Sequence, residues 1–224
     1  MSRLIVSPDT YTPEAVRLLT DIIPHALKEN KLVCIEESIP SHYMDALRLM
    51  IHLEQADPWI TDRTIWSIGC GLGIVDLYAT LAGMQVYGHD RSGELVDIAR
   101  KLSQNAFSSS SLPVKTPIYI RAEHRLNDFP GKRPVSSFAR KGADVLGADY
   151  WYIFPYPTEA NMIVDGYLEH ASPHTTLILN TGAVSDVGAA AQAALGRHKD
   201  SLVYCRDPFP FIEHHPFYIV NKKK

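Results

Sequence analysis

This sequence predicts an α/β domain built on a mostly parallel sheet, and three observations carry that prediction. From Thr64 onward, short apolar runs alternate with helix-length segments. Between the first run and the first such helix lies a Gly-x-Gly-x-Gly loop, Gly69-Cys70-Gly71-Leu72-Gly73. At the far end, two runs are joined by a turn-rich loop too short for a crossover helix, so they must pair antiparallel.

Residues 1–62 read as helical. Thr12 suits an N-cap with Pro13 at the first helical position. Beyond it Val16, Leu19, Ile22, Ile23, Ala26 and Leu27 recur at helical spacing. A second helix starts after Ser41, with Met44, Leu47, Met50, Ile51 and Leu53 as its apolar positions.

Five strands then follow, at Thr64–Ile68, Gln85–Gly88, Pro117–Arg121, Tyr150–Phe154 and Thr175–Asn180. Helices are expected between them at Val75–Ala82, Gly93–Ala106, Ser136–Leu146 and Thr158–Ala171. That alternation gives parallel strands joined by right-handed crossovers. A helix at Ala183–Gly196 precedes the last two strands, Leu202–Arg206 and Phe217–Val220. The expected architecture is one domain of 224 residues: a helical lid over 1–62, and over 63–224 a doubly wound, seven-stranded sheet ending in an antiparallel hairpin.

Composition narrows the function classes. A net charge of −3 with 46% hydrophobic residues fits neither a disordered acidic chain nor an indiscriminate polyanion binder. Cys34, Cys70 and Cys205 are far apart and form no C-x-x-C pair, so neither a disulfide framework nor a zinc site is expected. A reducing cytoplasm is the simpler setting. No apolar run approaches the ~18 residues of a membrane span, and MSRLIVSPDT lacks a signal-peptide core. The sequence thus predicts a soluble cytoplasmic protein without a membrane partner.

Between Arg121 and Lys141 six Lys or Arg residues stand against Glu123 and Asp128. Such a stretch can steer an acidic substrate or touch RNA, or be a solvated loop. No aromatic stacking pattern accompanies it, so nucleic acid is not the expected partner.

The glycine loop carries the chemistry. Glycines are needed where a backbone turns sharply and a ligand lies against it, and the following helix N-terminus favours negative charge such as a carboxylate. Asp90 ends the next strand, 17 positions after Gly73. A carboxylate there can accept both hydroxyls of a ribose lying across the strand ends. A dinucleotide loop places its third small residue three positions after the second glycine, where this chain has bulky Ile74.

The spacing of Gly69, Gly71 and Gly73, with Asp90 and the terminal hairpin, resembles the first motif of the class I S-adenosylmethionine (SAM)-dependent methyltransferases, a superfamily with a Rossmann-like sheet. The resemblance covers Thr64 to the C-terminus. It implies SAM as cofactor, with Gly69, Gly71 and Gly73 along its methionyl end and Asp90 at its ribose. Glu123 matches the acid that often contacts the adenine amino group; a solvated loop acid is the other reading. Ser67 stands where the family commonly has an acid for the methionyl ammonium, and a hydroxyl accepts without charge assistance. Arg91 replaces the usual apolar residue, either stacking on adenine or facing solvent.

The fourth strand runs into Phe154-Pro155-Tyr156-Pro157. Many of these methyltransferases carry an Asn/Asp-Pro-Pro-aromatic motif there; this chain has no amide or acid at its head, so adenine amino methylation is not implied. Phe154 is expected in the core and Tyr156 in the site. A general base serves methyl transfer only when the acceptor holds a proton. His214 and His215, with Glu213, are candidates in Asp207–Pro216, or exposed polar loop residues. Tyr11, His42 and Tyr43 are pocket candidates by position. A methyltransferase with a small-molecule acceptor is the function implied. Aminocarboxypropyl transfer on the same fold and a non-catalytic binding protein are the alternatives; a nicotinamide-dependent dehydrogenase comes last, because Ile74 argues against it and this chain has no Tyr-x-x-x-Lys pair after the fourth strand. No residue pattern assigns the acceptor or an oligomeric state.

Overall fold

The computed structural model describes residues 43–107, 114–123, 129–182, 185–206 and 217–223. The helix expected after Pro13 lies outside the described residues. The second is helix α1 (Tyr43–Ala56). Its Ala46, Leu49, Met50 and Leu53 recur three and four residues apart, so one face is apolar, and all four are buried.

The chain then alternates as β1 (Thr64–Ile68), α2 (Ile74–Leu81), β2 (Gln85–Asp90), α3 (Gly93–Phe107), β3 (Ile118–Arg121), α4 (Lys132–Ala139), β4 (Tyr150–Ile153) and α5 (Ala160–His170). It closes with β5 (Thr176–Asn180), α6 (Ser185–Arg197), β6 (Leu202–Arg206) and β7 (Phe217–Lys222). The seven strands form one sheet in the order β3-β2-β1-β4-β5-β7-β6. Strands β1 to β5 pair parallel, and β7 runs antiparallel between β5 and β6. The doubly wound sheet with its closing hairpin is therefore the architecture the sequence predicts.

Side chains alternate across the pleat and divide the core into two layers. Ile65, Val86, Tyr152 and Ile178 face α1, α2 and α3. Trp66, Ile120, Trp151 and Leu179 face α4, α5 and α6. Both buried indole N–H groups of this layer are satisfied. The Trp66 indole N–H donates to His89 Nδ1 at 3.0 Å, and that of Trp151 to the Val145 carbonyl at 3.0 Å. The two indoles meet edge-on, 5.1 Å between centroids.

At the opposite end of the strands from the glycine loop, Asp149 ties β1 to β4. Its Oδ2 accepts the Thr64 N–H at 2.8 Å and the Thr64 hydroxyl at 2.9 Å. Arg63 bridges Asp149 to Asp57.

Two local expectations need correction. The helix expected at Ser136–Leu146 is α4, Lys132–Ala139. Pro134 fits its first turn, where an N–H has no helical partner. Turn bonds from Lys141 and Gly142 to the carbonyls of Phe138 and Ala139 end it. Val145, read as helical, instead packs into the core from the following turn. Phe154, expected in the core, is only part-buried, against Gly182. Strand β4 stops at Ile153, because Pro155 has no N–H to continue the ladder.

Candidate ligand site at the switch point

The order of strands reverses between β1 and β4, and the crevice outside their carboxyl ends is where open α/β sheets hold ligands. The glycine loop leaves β1 there. Gly69, Gly71 and Gly73 have φ of 70, 54 and 70°, in the left-handed region that other residues rarely adopt. The Cys70 N–H donates to the His89 carbonyl at 2.8 Å, and the Gly73 N–H to the Cys70 carbonyl at 2.9 Å. Helix α2 starts at once, so N–H groups of its first turn lack helical acceptors.

At Gly73 space decides as well as φ: an added Cβ would lie 2.9 Å from the Tyr119 hydroxyl. At Gly69 it would meet nothing within 4 Å. Bare backbone thus borders open space on the side where a ligand would lie.

Asp90 terminates β2 and is almost buried. Its Oδ2 accepts the Gly71 N–H at 3.1 Å and its Oδ1 the Ser92 N–H at 2.8 Å. Each oxygen keeps a further lone pair, so the carboxylate retains capacity for a diol. The Ala122 N–H donates to the Asp90 carbonyl at 3.0 Å, which holds the end of β3 alongside. Arg91 and Glu123, both exposed, flank Asp90 on that edge.

Ser67 lies in register between Gly88 of β2 and Tyr152 of β4 and is buried. Gly88 in turn pairs with Tyr119 of β3. Asp76, in the first turn of α2, lies over Gly88: a Cβ added there would come within 2.9 Å of its Oδ2. Asp76 is fully buried, and neither oxygen meets a hydrogen bond of full geometry. Burial pushes its carboxyl up to about 7, against the Ser67 and Tyr119 hydroxyls, which stand near enough to favour the charged form. The Tyr119 hydroxyl pairs with Ser103 Oγ at 3.2 Å, and burial followed by the Asp76 charge holds its pKa well above the ordinary value.

Tyr156 follows β4 and is 43% exposed; its N–H donates to Glu159 Oε2 at 3.2 Å. His214 and His215 lie outside the described residues, as do Glu213, Tyr11 and His42; Tyr43 opens α1. The structure therefore brings Ser67, Gly69, Gly71, Gly73, Asp90, Arg91, Glu123 and Tyr156 to the carboxyl edge of the sheet. Sequence reasoning missed Asp76, whose only signal is that it is the lone charge in the run Ile74–Leu81. It also missed Tyr152 and Asn180, joined across β4 and β5 by a 2.6 Å bond from Asn180 Nδ2 to the Tyr152 hydroxyl.

No protein-family profile matches the chain, and no curated sequence matches it. Solved structures do. An O-methyltransferase from Bacillus cereus in complex with SAH superposes with a TM-score of 0.58 at 13% identity, over 98% of this chain and 94% of that one. Magnesium protoporphyrin IX methyltransferase from Synechocystis PCC 6803, with bound SAH, gives 0.57 at 16% identity, over 82% and 83%. An RNA methyltransferase from Salinibacter ruber, in complex with S-adenosyl-L-homocysteine, gives 0.51 at 14%, over 82% and 93%. The strand order, the closing hairpin and these superpositions agree: the chain has the fold of the class I SAM-dependent methyltransferases.

Proposed function

We propose that this protein is a SAM-dependent methyltransferase acting on a small-molecule acceptor by direct in-line transfer. The observation that carries the reading is the Asp90 carboxylate, bonded to Gly71 of the glycine loop and aligned at the switch point with acceptor capacity to spare. The three solved structures above each hold SAH. Ile74 supports an adenosyl ligand over a dinucleotide, because it is buried in the core where a dinucleotide loop needs a small residue.

Bound SAM would supply a sulfonium-activated methyl group. The chain's own residues bind and orient. Gly69, Gly71 and Gly73 give bare backbone to the methionyl end, Asp90 accepts from the ribose, and Arg91 and Glu123 flank the adenine. Ser67 backs the loop. Tyr156, which follows β4, serves the acceptor side, and His214 or His215 would take a proton where the acceptor holds one. Alignment supplies much of the rate, so the protein needs no covalent step. Cys70 and Cys205 are free thiols, in keeping with a cytoplasmic setting. Among the described residues no helix is long and apolar enough to cross a membrane.

A second reading keeps the ligand and changes the group moved. Ser67, in place of an acid, and Phe154-Pro155-Tyr156-Pro157, without an amide, keep aminocarboxypropyl transfer as the alternative. Calorimetric titration with SAM, S-adenosylhomocysteine (SAH) and NAD tests the shared part. The proposal expects both adenosyl ligands to bind and NAD not to. Failure of all three would leave the fold as a binding scaffold. With an acceptor in hand, SAH as product means methyl transfer and methylthioadenosine means the alternative.

A further inference from the structure

The sheet has two edges, β3 and β6, and they meet solvent differently. An edge strand presents unpaired N–H and C=O groups, and proteins blunt it with charge, proline, a bulge or a covering segment. Strand β3 has four residues and ends in the exposed Arg121; Lys115 precedes it, its ammonium donating to the Thr61 carbonyl at 2.8 Å. Strand β6 carries neither charge nor proline over Leu202-Val203-Tyr204-Cys205. It also has no bulge: its register with β7 is unbroken from Leu202 against Lys222 to Arg206 against Tyr218.

That run is also open to solvent. Among the described residues four large apolar side chains are exposed, and two of them, Val203 and Tyr204, are neighbours here. Val203 is 55% exposed, and the Cys205 thiol is free and exposed. Leu202 is buried on the side of α4, α5 and α6, so Val203 and Cys205 lie on the other side of the pleat. Tyr204 shares the Leu202 side and rests edge-on against Tyr218, 6.2 Å between centroids.

The run is complementary to itself. Two copies pairing antiparallel about a twofold axis normal to the sheet keep each residue opposite one of the same face, so the axis passes through a residue. An axis at Val203 sets Val203 against its own copy and Leu202 against Tyr204. It also sets the chain positions of Asp200 and Arg206 opposite one another, acid against base at both ends. Apolar pairs in the middle and opposite charges at the ends are the favourable cross-strand combinations. Moving the axis to Tyr204 puts Leu202 against Arg206, and moving it to Leu202 puts Asp200 against Tyr204. Both alternatives lose the match.

We propose that β6 is a homodimerisation edge, two copies of this chain pairing β6 to β6 antiparallel about Val203 to join their sheets into one. Strands β4, β5 and β7 separate β6 from β1, so the pairing leaves the switch point clear and does not depend on the adenosyl reading.

The test is analytical ultracentrifugation of the full chain at about 0.1 mM, where a Kd of up to about 10 µM leaves most chains paired. Wild type is expected to sediment at twice the mass of one chain. Val203→Lys is expected to sediment as a monomer with an unchanged Tm, because the side chain is exposed but two like charges would meet on the axis. A second variant reads the register without relying on the first. Val203→Cys in a Cys205→Ser background is expected to form a covalent dimer on oxidation, well beyond Cys205→Ser alone. A monomeric wild type overturns the proposal. So does a dimer that survives Val203→Lys, which would lie on another surface. A Val203→Cys chain that crosslinks no more than its control overturns the pairing about Val203.

Discussion

Asp90 and Gly71 are joined across the mouth of the site, the carboxylate Oδ2 accepting the Gly71 N–H at 3.1 Å while its Oδ1 accepts the Ser92 N–H at 2.8 Å. One side chain thus fixes both the glycine loop after β1 and the turn into α3. Asp90→Ala removes both bonds and the acceptor offered to the ligand. Hydrogen bonds to charged groups contribute about 1.5–3 kcal/mol each. SAH affinity should fall by about tenfold or more, with Asp90→Asn falling less, and titration of both variants checks the order.

Gly88 is an internal strand residue with no room above it. A Cβ there would lie 2.6 Å from Tyr119 Cδ1 and 2.9 Å from Asp76 Oδ2. Gly88→Ala must displace the Tyr119 ring or the carboxylate, and overpacking of this kind costs about 1–3 kcal/mol. In a chain of this length that is a fall of about 2–4 °C in Tm per kcal/mol, readable by thermal melting. An unchanged Tm would mean that α2 and β3 yield freely there.

Asp76 makes stability depend on pH with a definite sign. Its folded carboxyl titrates near 7 against 3.8 for the free group, so above 3.8 the folded state binds the extra proton. Folding stability is lost as pH rises through that window, and the loss is complete above 7. The full effect is on the order of a few kcal/mol. Asp76→Asn should therefore gain more in Tm over wild type at pH 8 than at pH 5. Equal differences at both pH values would show that the carboxyl is not held protonated.

The Arg63 bridge works in the opposite sense. Burial alone would raise the Asp57 pKa, but the bond from Arg63 and that from the Trp59 N–H outweigh it and lower it. The stabilisation is present above the ordinary value of 3.8 and is lost as pH falls through the lowered one. Arg63 is 39% exposed, so Arg63→Ala should cost no more than about 1 kcal/mol at pH 7. Asp149→Ala should cost more, about 1–3 kcal/mol, because it strips the partner from the Thr64 N–H and hydroxyl. Denaturant titration of both variants compares them.

The strands were legible because each is a short apolar run bounded by turn residues, and β1 and β6 have the predicted limits. The carboxyl-edge residues were legible for a related reason: a glycine loop and an acid at a strand end lie close in sequence. Helix α4 lies earlier than expected because Ala139, Ala143 and Leu146 recur at helical spacing, yet Ala143 and Leu146 reach the core from a turn. Asp76 was invisible for a deeper reason. Its environment is made by Gly88 and Tyr119, which only the pairing of β1, β2 and β3 brings beside it. The Tyr152–Asn180 bond likewise depends on the pairing of β4 with β5.

The central claim is that the glycine loop and Asp90 hold an adenosyl ligand at the switch point. A crystal structure of the protein soaked with SAH tests it most directly. The account predicts ribose hydroxyls within hydrogen-bonding distance of Asp90 and the homocysteine moiety against Gly69–Gly73. SAH bound elsewhere, or a crevice empty at saturating ligand, would contradict it.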